Sequence, residues 1–135
     1  MTRPFSRFFS LFFLTATVLS AGAAEPALKV STLDGDFLCI RASHISDNFA
    51  EQLQAGEPTN KISGVVLDLR FADGSHVVSA ENLFPGQKFP LVILVNGETS
   101  GGAAELAMKL RADDRGIIIG STNVAGKVTP DIAVA

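Results

Sequence analysis

Three short apolar runs constrain this chain more than any other feature: Gly64-Val-Val-Leu-Asp-Leu69, Leu91-Val-Ile-Leu-Val95 and Gly116-Ile-Ile-Ile-Gly120. Each has the length of a strand and little alternation with polar residues. Strands buried on both faces of a parallel sheet read this way. The segments between them carry helical periodicity. Ser46 or Asp47 caps a helix running to about Ala55, with Phe49, Ala50 and Leu53 as its apolar stripe and Gly56 ending it. Val77 to Phe84 reads as a second helix, and Gly101 to Ala112 as a third. Upstream, Ala27 to Leu33 and Phe37 to Arg41 are β-like runs joined by Asp34-Gly35, a type I′ hairpin signal. Ile132 to Val134 offers one more strand. Strands alternating with helices predict an α/β fold around a mostly parallel buried sheet.

Ligands of such sheets collect beyond the carboxyl ends of the strands. Those ends are Arg70 to Gly74, Asn96 to Gly102, and Ser121 to Lys127. The third imitates a phosphate-binding loop. Five residues separate Gly120 from Gly126, Val128 follows Lys127, and Pro130 opposes an immediate helix. The phosphate loop requires four intervening residues, then Ser or Thr, then a helix, so nucleotide binding is not supported.

The second loop carries more chemistry. A strand enters Asn96-Gly-Glu-Thr-Ser100, and Gly101-Gly-Ala-Ala104 opens a helix. A serine at a strand-to-helix turn stands near helix N–H groups that stabilise an oxyanion. Ser100 is the candidate nucleophile, with Gly101 and Gly102 as N–H donors and Gly74 as a second source. Lys127 is the candidate base. A desolvated lysine loses proton affinity, and its neutral amine can take a proton from serine. Neither His44 nor His76 has Ser and acid neighbours in a recognisable spacing. The ordinary roles of these residues stand beside the chemical ones. Ser100 before Gly-Ala-Ala would cap the helix, accepting from the N–H of Gly102 or Ala103. Glu105 would complement the helix dipole, Gly74 would serve a turn, and Lys127 would be solvated.

The N-terminus is a targeting segment. Arg3 and Arg7 precede the apolar stretch Phe8 to Ser20, and Ala21-Gly-Ala-Ala24 offers small residues for cleavage after Ala23 or Ala24. This is the order of a secretory signal, and the stretch falls short of the ~20 residues of a spanning helix. Residues 25–135 then form a single domain. Its nine basic against 14 acidic residues, without a Lys/Arg cluster, exclude electrostatic binding of nucleic acid. The lone Cys39 has neither a disulfide nor a zinc-site partner and reads as a small buried hydrophobe. No cofactor or metal is expected.

Taken in order, Gly64-Val-Val-Leu-Asp68-Leu-Arg70 with Gly74, Pro90-Leu-Val-Ile-Leu-Val-Asn96-Gly97, Ala103-Ala-Glu105, Gly116-Ile-Ile-Ile-Gly120 and Gly126-Lys127 resemble the carboxyl-terminal processing peptidases. These are also called tail-specific serine proteases. Gly35-Asp-Phe-Leu-Cys-Ile-Arg41 looks like that family's G-Y-I-R-I strand. The resemblance spans residues 35 to 128. It implies a Clp protease/crotonase-like core, a Ser-Lys dyad, a polypeptide substrate and action on exported proteins. By position Lys127 matches the base, and Gly74 matches the glycine that supplies an oxyanion N–H. The family's nucleophile lies three residues before the Glu. Counting back from Glu105 gives Gly102, and counting forward from Asn96 gives Gly101. Thr99 and Ser100 are the nearby hydroxyls. Either a bulge moves Ser100 into the site, or the chain is an inactive peptide-binding homologue. No PDZ-like segment is visible, and the chain stops before the family's remaining core strands, as a truncated domain would.

Overall fold

The Asp34-Gly35 pair folds the chain back first. Both residues have positive φ, 51° and 86°, and with Asp36 they form a three-residue loop between the paired Leu33 and Phe37, one residue longer than the two-residue type I′ turn expected. In the computed structural model, which describes residues 26–56, 61–75, 80–121 and 128–134, this turn joins β1 (Leu28–Leu33) to β2 (Phe37–Ala42). The two pair antiparallel, closing at Leu33 opposite Phe37. Then follow β3 (His44–Ile45), α1 (Phe49–Gly56), β4 (Gly64–Asp68), β5 (Asp73–Gly74), a 3-10 turn (Ala80–Asn82), β6 (Leu91–Val95), α2 (Gly101–Ala112), β7 (Ile117–Ser121) and β8 (Ile132–Val134).

The main sheet has the order β1-β2-β4-β6-β7-β8, and every pairing after the hairpin is parallel. The expected mostly parallel α/β architecture is what forms. Its centre is one row across four strands. Ile40 lies opposite Leu67, Leu67 opposite Ile93, and Ile93 opposite Ile118. All four are 0% exposed. Phe49 and Leu53 from α1, and Leu106, Ala107 and Leu110 from α2, join the same core.

Four sequence expectations change. The strands are not buried equally on both sides. Side chains alternate between sheet faces, and Cys39, Val66, Val92 and Leu94 on the second face are half-buried, while Ile117 is 46% exposed. Burial is complete on the face where both helices add to the core. The helix expected over 77–84 is absent over its described part. Only residues 80–82 turn, as a 3-10 segment, and Phe84 takes φ +51°, outside the right-handed helical region. Residues 76–79 lie outside the described residues. The first helical bond of α1 is donated by Gln52 to the Asn48 carbonyl. Asn48 therefore holds the start expected of Ser46 or Asp47, and the Ser46 hydroxyl donates to the Asn48 side chain at 2.8 Å. Finally, Gly74, expected to serve a turn, belongs to β5, which pairs with β3 in a separate two-stranded sheet.

Candidate functional site

The carboxyl ends of β4 and β6 are knitted into one unit. Beyond β4, the Ala72 N–H donates to the Leu69 carbonyl and forces a tight turn, with Phe71 at φ +66°. Beyond β6, the Thr99 N–H returns to the Asn96 carbonyl. Asn96 Oδ1 accepts from the Phe71 N–H at 3.0 Å and from the Glu98 N–H at 3.1 Å. The Ser100 N–H donates to the Ala72 carbonyl at 3.0 Å. One asparagine and one serine amide thus tie the two loops together.

Thr99 locks the junction from inside. It is 0% exposed. Its hydroxyl donates to the Leu69 carbonyl at 2.8 Å and accepts from the Asn96 N–H at 3.0 Å. With its single proton committed and its oxygen buried, Thr99 is a structural hydroxyl. Ser100 differs. It is exposed, holds extended backbone (φ −143°, ψ 173°) at the N-cap of α2, and its side chain makes no capping hydrogen bond. The expected Oγ contact with Gly102 or Ala103 does not form, so Ser100 occupies the cap position without doing the cap's usual work. The first intrahelical bond runs from the Ala104 N–H to the Ser100 carbonyl. The N–H groups of Gly101, Gly102 and Ala103 precede it and have no intrahelical acceptor.

Two glycines allow the loops to meet. Gly101 has φ +52°, and a Cβ there would collide with the Gly74 carbonyl oxygen. Gly74 has φ +155°, and its own Cβ would fall 2.6 Å from the Ile45 carbonyl oxygen. Side chains at either position would separate β3, β5 and the start of α2. Of the residues expected in the site, Gly74, Ser100, Gly101 and Gly102 therefore gather at one junction, and Lys127 lies outside the described residues. Glu105 lies beyond the first turn of α2, which contains no acidic residue. The dipole-complementing role expected of it is not met.

Two side-chain pairs flank the junction. Asp68 is buried and takes a two-pronged grip from Arg70, Nε to Oδ1 at 2.9 Å and Nη2 to Oδ2 at 2.8 Å, while the Arg70 N–H reaches Oδ1 at 3.1 Å. Burial disfavours the ionised Asp68. The Arg70 hydrogen bonds and charge, with Arg41 adding, outweigh it and hold the carboxyl below its ordinary range. The second pair was missed in the sequence. His44 Nδ1 and Asp73 Oδ1 lie 2.6 Å apart, because β3 and β5 place the residues side by side in register. The 29-residue separation carries no motif, and only the small sheet reveals the pair.

A cleft of about 590 Å³ lined by Glu81, Gln87, Lys88, Phe89 and Arg115 lies near the amino ends of β6 and β7. That is the wrong end for a parallel-sheet site. Its Arg115 is committed to the Leu83 and Phe84 carbonyls. Among the described residues no group of three or more His, Cys, Asp or Glu is placed to hold a metal. No described helix is long and apolar enough to cross a membrane.

The mostly parallel sheet and its two helices match a Clp protease/crotonase-like core. Two solved structures share it. A photosystem II D1 C-terminal processing protease superposes with TM-score 0.57 at 16% identity, over 81% of this chain and 48% of that one. A lipoprotein from Streptococcus agalactiae superposes with TM-score 0.57 at 14% identity, over 72% of this chain and 50% of that one. This chain spans about half the length of each. No protein-family model matches the sequence, and no curated protein does. At these identities the likeness is one of fold.

Proposed function

We propose that this chain is an exported serine peptidase-like domain that binds polypeptide at the carboxyl ends of β4 and β6. Ser100 is its nucleophile, Lys127 its general base, and the N–H groups of Gly101, Gly102 and the Gly74 turn its oxyanion donors. The observation that carries the reading is the division of labour between adjacent hydroxyls. Thr99 is buried and spent on structure, while Ser100 is exposed and leaves its capping bond unmade. The left-handed Gly101 supports the shifted position of Ser100, since it reverses the chain just before the helix settles into its regular path. A lysine that takes the serine proton must be neutral. Attack by the Ser100 oxygen on a peptide carbonyl would then give a tetrahedral adduct whose oxyanion is received by backbone donors; its collapse breaks the C–N bond, the protonated lysine gives its proton to the departing amine, and water hydrolyses the acyl-serine left behind. The fold shared with a structure named as a C-terminal processing protease supports a polypeptide substrate. The signal-like residues 1–24 support export.

A second reading has its own support. Gly101 and Gly102 stand where the resembling family carries its serine, as they would in a peptide-binding protein without turnover. Fluorophosphonate labelling and peptide hydrolysis by the protein recovered from the exported fraction separate the two. Wild type is expected to label and turn over, with both signals lost in Ser100→Ala and hydrolysis lost in Lys127→Ala. Equal labelling and turnover in all three removes the dyad. Peptide binding without labelling favours the second reading.

A further inference from the structure

Phe71 is held where a large side chain is least at ease. Its φ of +66° lies in the left-handed region, which a bulky residue with a Cβ enters only under strain. Its ring covers little of the protein in return, being 60% exposed while its neighbours Leu69 and Ala72 are fully buried. Two hydrogen bonds fix the conformation from outside. The Phe71 N–H is held by Asn96 Oδ1 at 3.0 Å, and the Ala72 N–H by the Leu69 carbonyl at 3.0 Å. The next carbonyl along, that of Ala72, accepts the Ser100 N–H at 3.0 Å. Phe71 therefore stands one residue before Ala72, whose carbonyl holds the Ser100 N–H, and its own N–H is held by the Asn96 loop. An aromatic residue this strained and this exposed has little packing to account for it, and it lies beside the Ser100 turn.

We propose that Phe71 determines specificity at this site: its ring receives a large apolar side chain adjoining the peptide bond presented to Ser100. This rests on the polypeptide reading of the site and narrows it to chains carrying an aliphatic or aromatic residue there. A flat aromatic face packs against such side chains and releases water from both. A Ser or Gln at the same position of the peptide gains little from it.

Unstructured fluorescent peptide pairs that differ at one position, Leu or Phe against Ser or Gln, test the proposal on wild type, Phe71→Gly and Phe71→Tyr. Binding is read by anisotropy, hydrolysis by KM and kcat, and folding by thermal midpoint. Wild type is expected to favour the apolar peptide by about tenfold, chiefly through Kd or KM. Phe71→Gly is expected to reduce that ratio to about threefold or less, with its thermal midpoint unchanged or higher, because glycine relieves the strain. Phe71→Tyr keeps the ring and should restore the ratio. A ratio that survives in Phe71→Gly, or a fall shared equally by both peptides, overturns the proposal. A lowered midpoint in Phe71→Gly assigns the ring to packing and also overturns it. Preferential binding without turnover supports the proposal while refuting the nucleophile assignment. If wild type binds neither peptide, both readings fall together.

Discussion

Replacing Thr99 by valine should reveal how much one hydroxyl contributes to the junction. The two side chains have the same shape, so the substitution leaves no cavity and changes only polarity. Two partners lose their bonds. The Leu69 carbonyl gave up water for the Thr99 hydroxyl at 2.8 Å, and the Asn96 N–H used the same oxygen at 3.0 Å. Leu69 is fully buried and Thr99 itself is 0% exposed, so solvent does not easily replace what is lost. An unsatisfied buried polar group costs about 1–3 kcal/mol. The Leu69 carbonyl keeps the Ala72 N–H, and Asn96 is half-buried and recovers part of its bonding, which puts the sum near 2 kcal/mol. In a domain of this size that lowers the thermal midpoint by roughly 8–12 °C. Thr99→Ser keeps the hydroxyl and loses a methyl group, a cost of about 1 kcal/mol. Urea or thermal denaturation of the three proteins, followed by circular dichroism, measures both differences. If valine and serine variants agree within about 0.5 kcal/mol, the hydroxyl is not what holds the loops together.

Gly101→Ala puts a methyl group into the Gly74 carbonyl oxygen and forces a side chain into φ +52°. It should lose about 2 kcal/mol or more and most fluorophosphonate labelling, and a variant within about 0.5 kcal/mol of wild type would contradict the close approach. Asp68→Asn should lose roughly 1 kcal/mol near neutral pH, since its partner Arg70 is half exposed. Because the folded Asp68 titrates below the ordinary aspartate value of 3.8, its contribution is complete above that value and disappears as pH falls through the lower folded one. The gap between wild type and Asp68→Asn, followed by denaturant midpoints from pH 7 down to about 2, should therefore close in acid. A gap of constant width would show that the carboxylate charge is not the source.

Periodicity made the main sheet legible. Leu91–Val95 and Gly101–Ala112 have the bounds their residues predict, because runs of Val, Ile and Leu and a stretch of Ala and Leu after glycine each satisfy one kind of backbone. The hairpin was legible for a stronger reason, since Asp34-Gly35 prescribes its own dihedral angles. What remained hidden depends on contacts between distant segments. A two-residue pairing such as β3 with β5 has no period of its own. The role of Asn96, accepting from Phe71 25 residues upstream, looks in the sequence like a turn residue before glycine. Ser100 was singled out, yet cap and nucleophile have the same sequence signature. The structure adds only that the capping bond is not made. The second face of the sheet was misread because an unbroken apolar run does not say how thickly each side is covered.

The row Ile40, Leu67, Ile93 and Ile118 also sets an order of events. Its members come from strands spread across most of the chain, and parallel neighbours must be brought together over long separations. Non-local pairing of this kind makes folding slow. Synthesis has to pass Ile118 before the fourth member exists, so nascent chains that stop short of it leave Ile93 with no lateral neighbour on one side. Such intermediates invite chaperones and aggregation alike. Stopping translation at successive points and probing with protease should give a late, abrupt gain of resistance once β7 has emerged. Gradual protection, building strand by strand, would mean that the row is assembled in separable pieces.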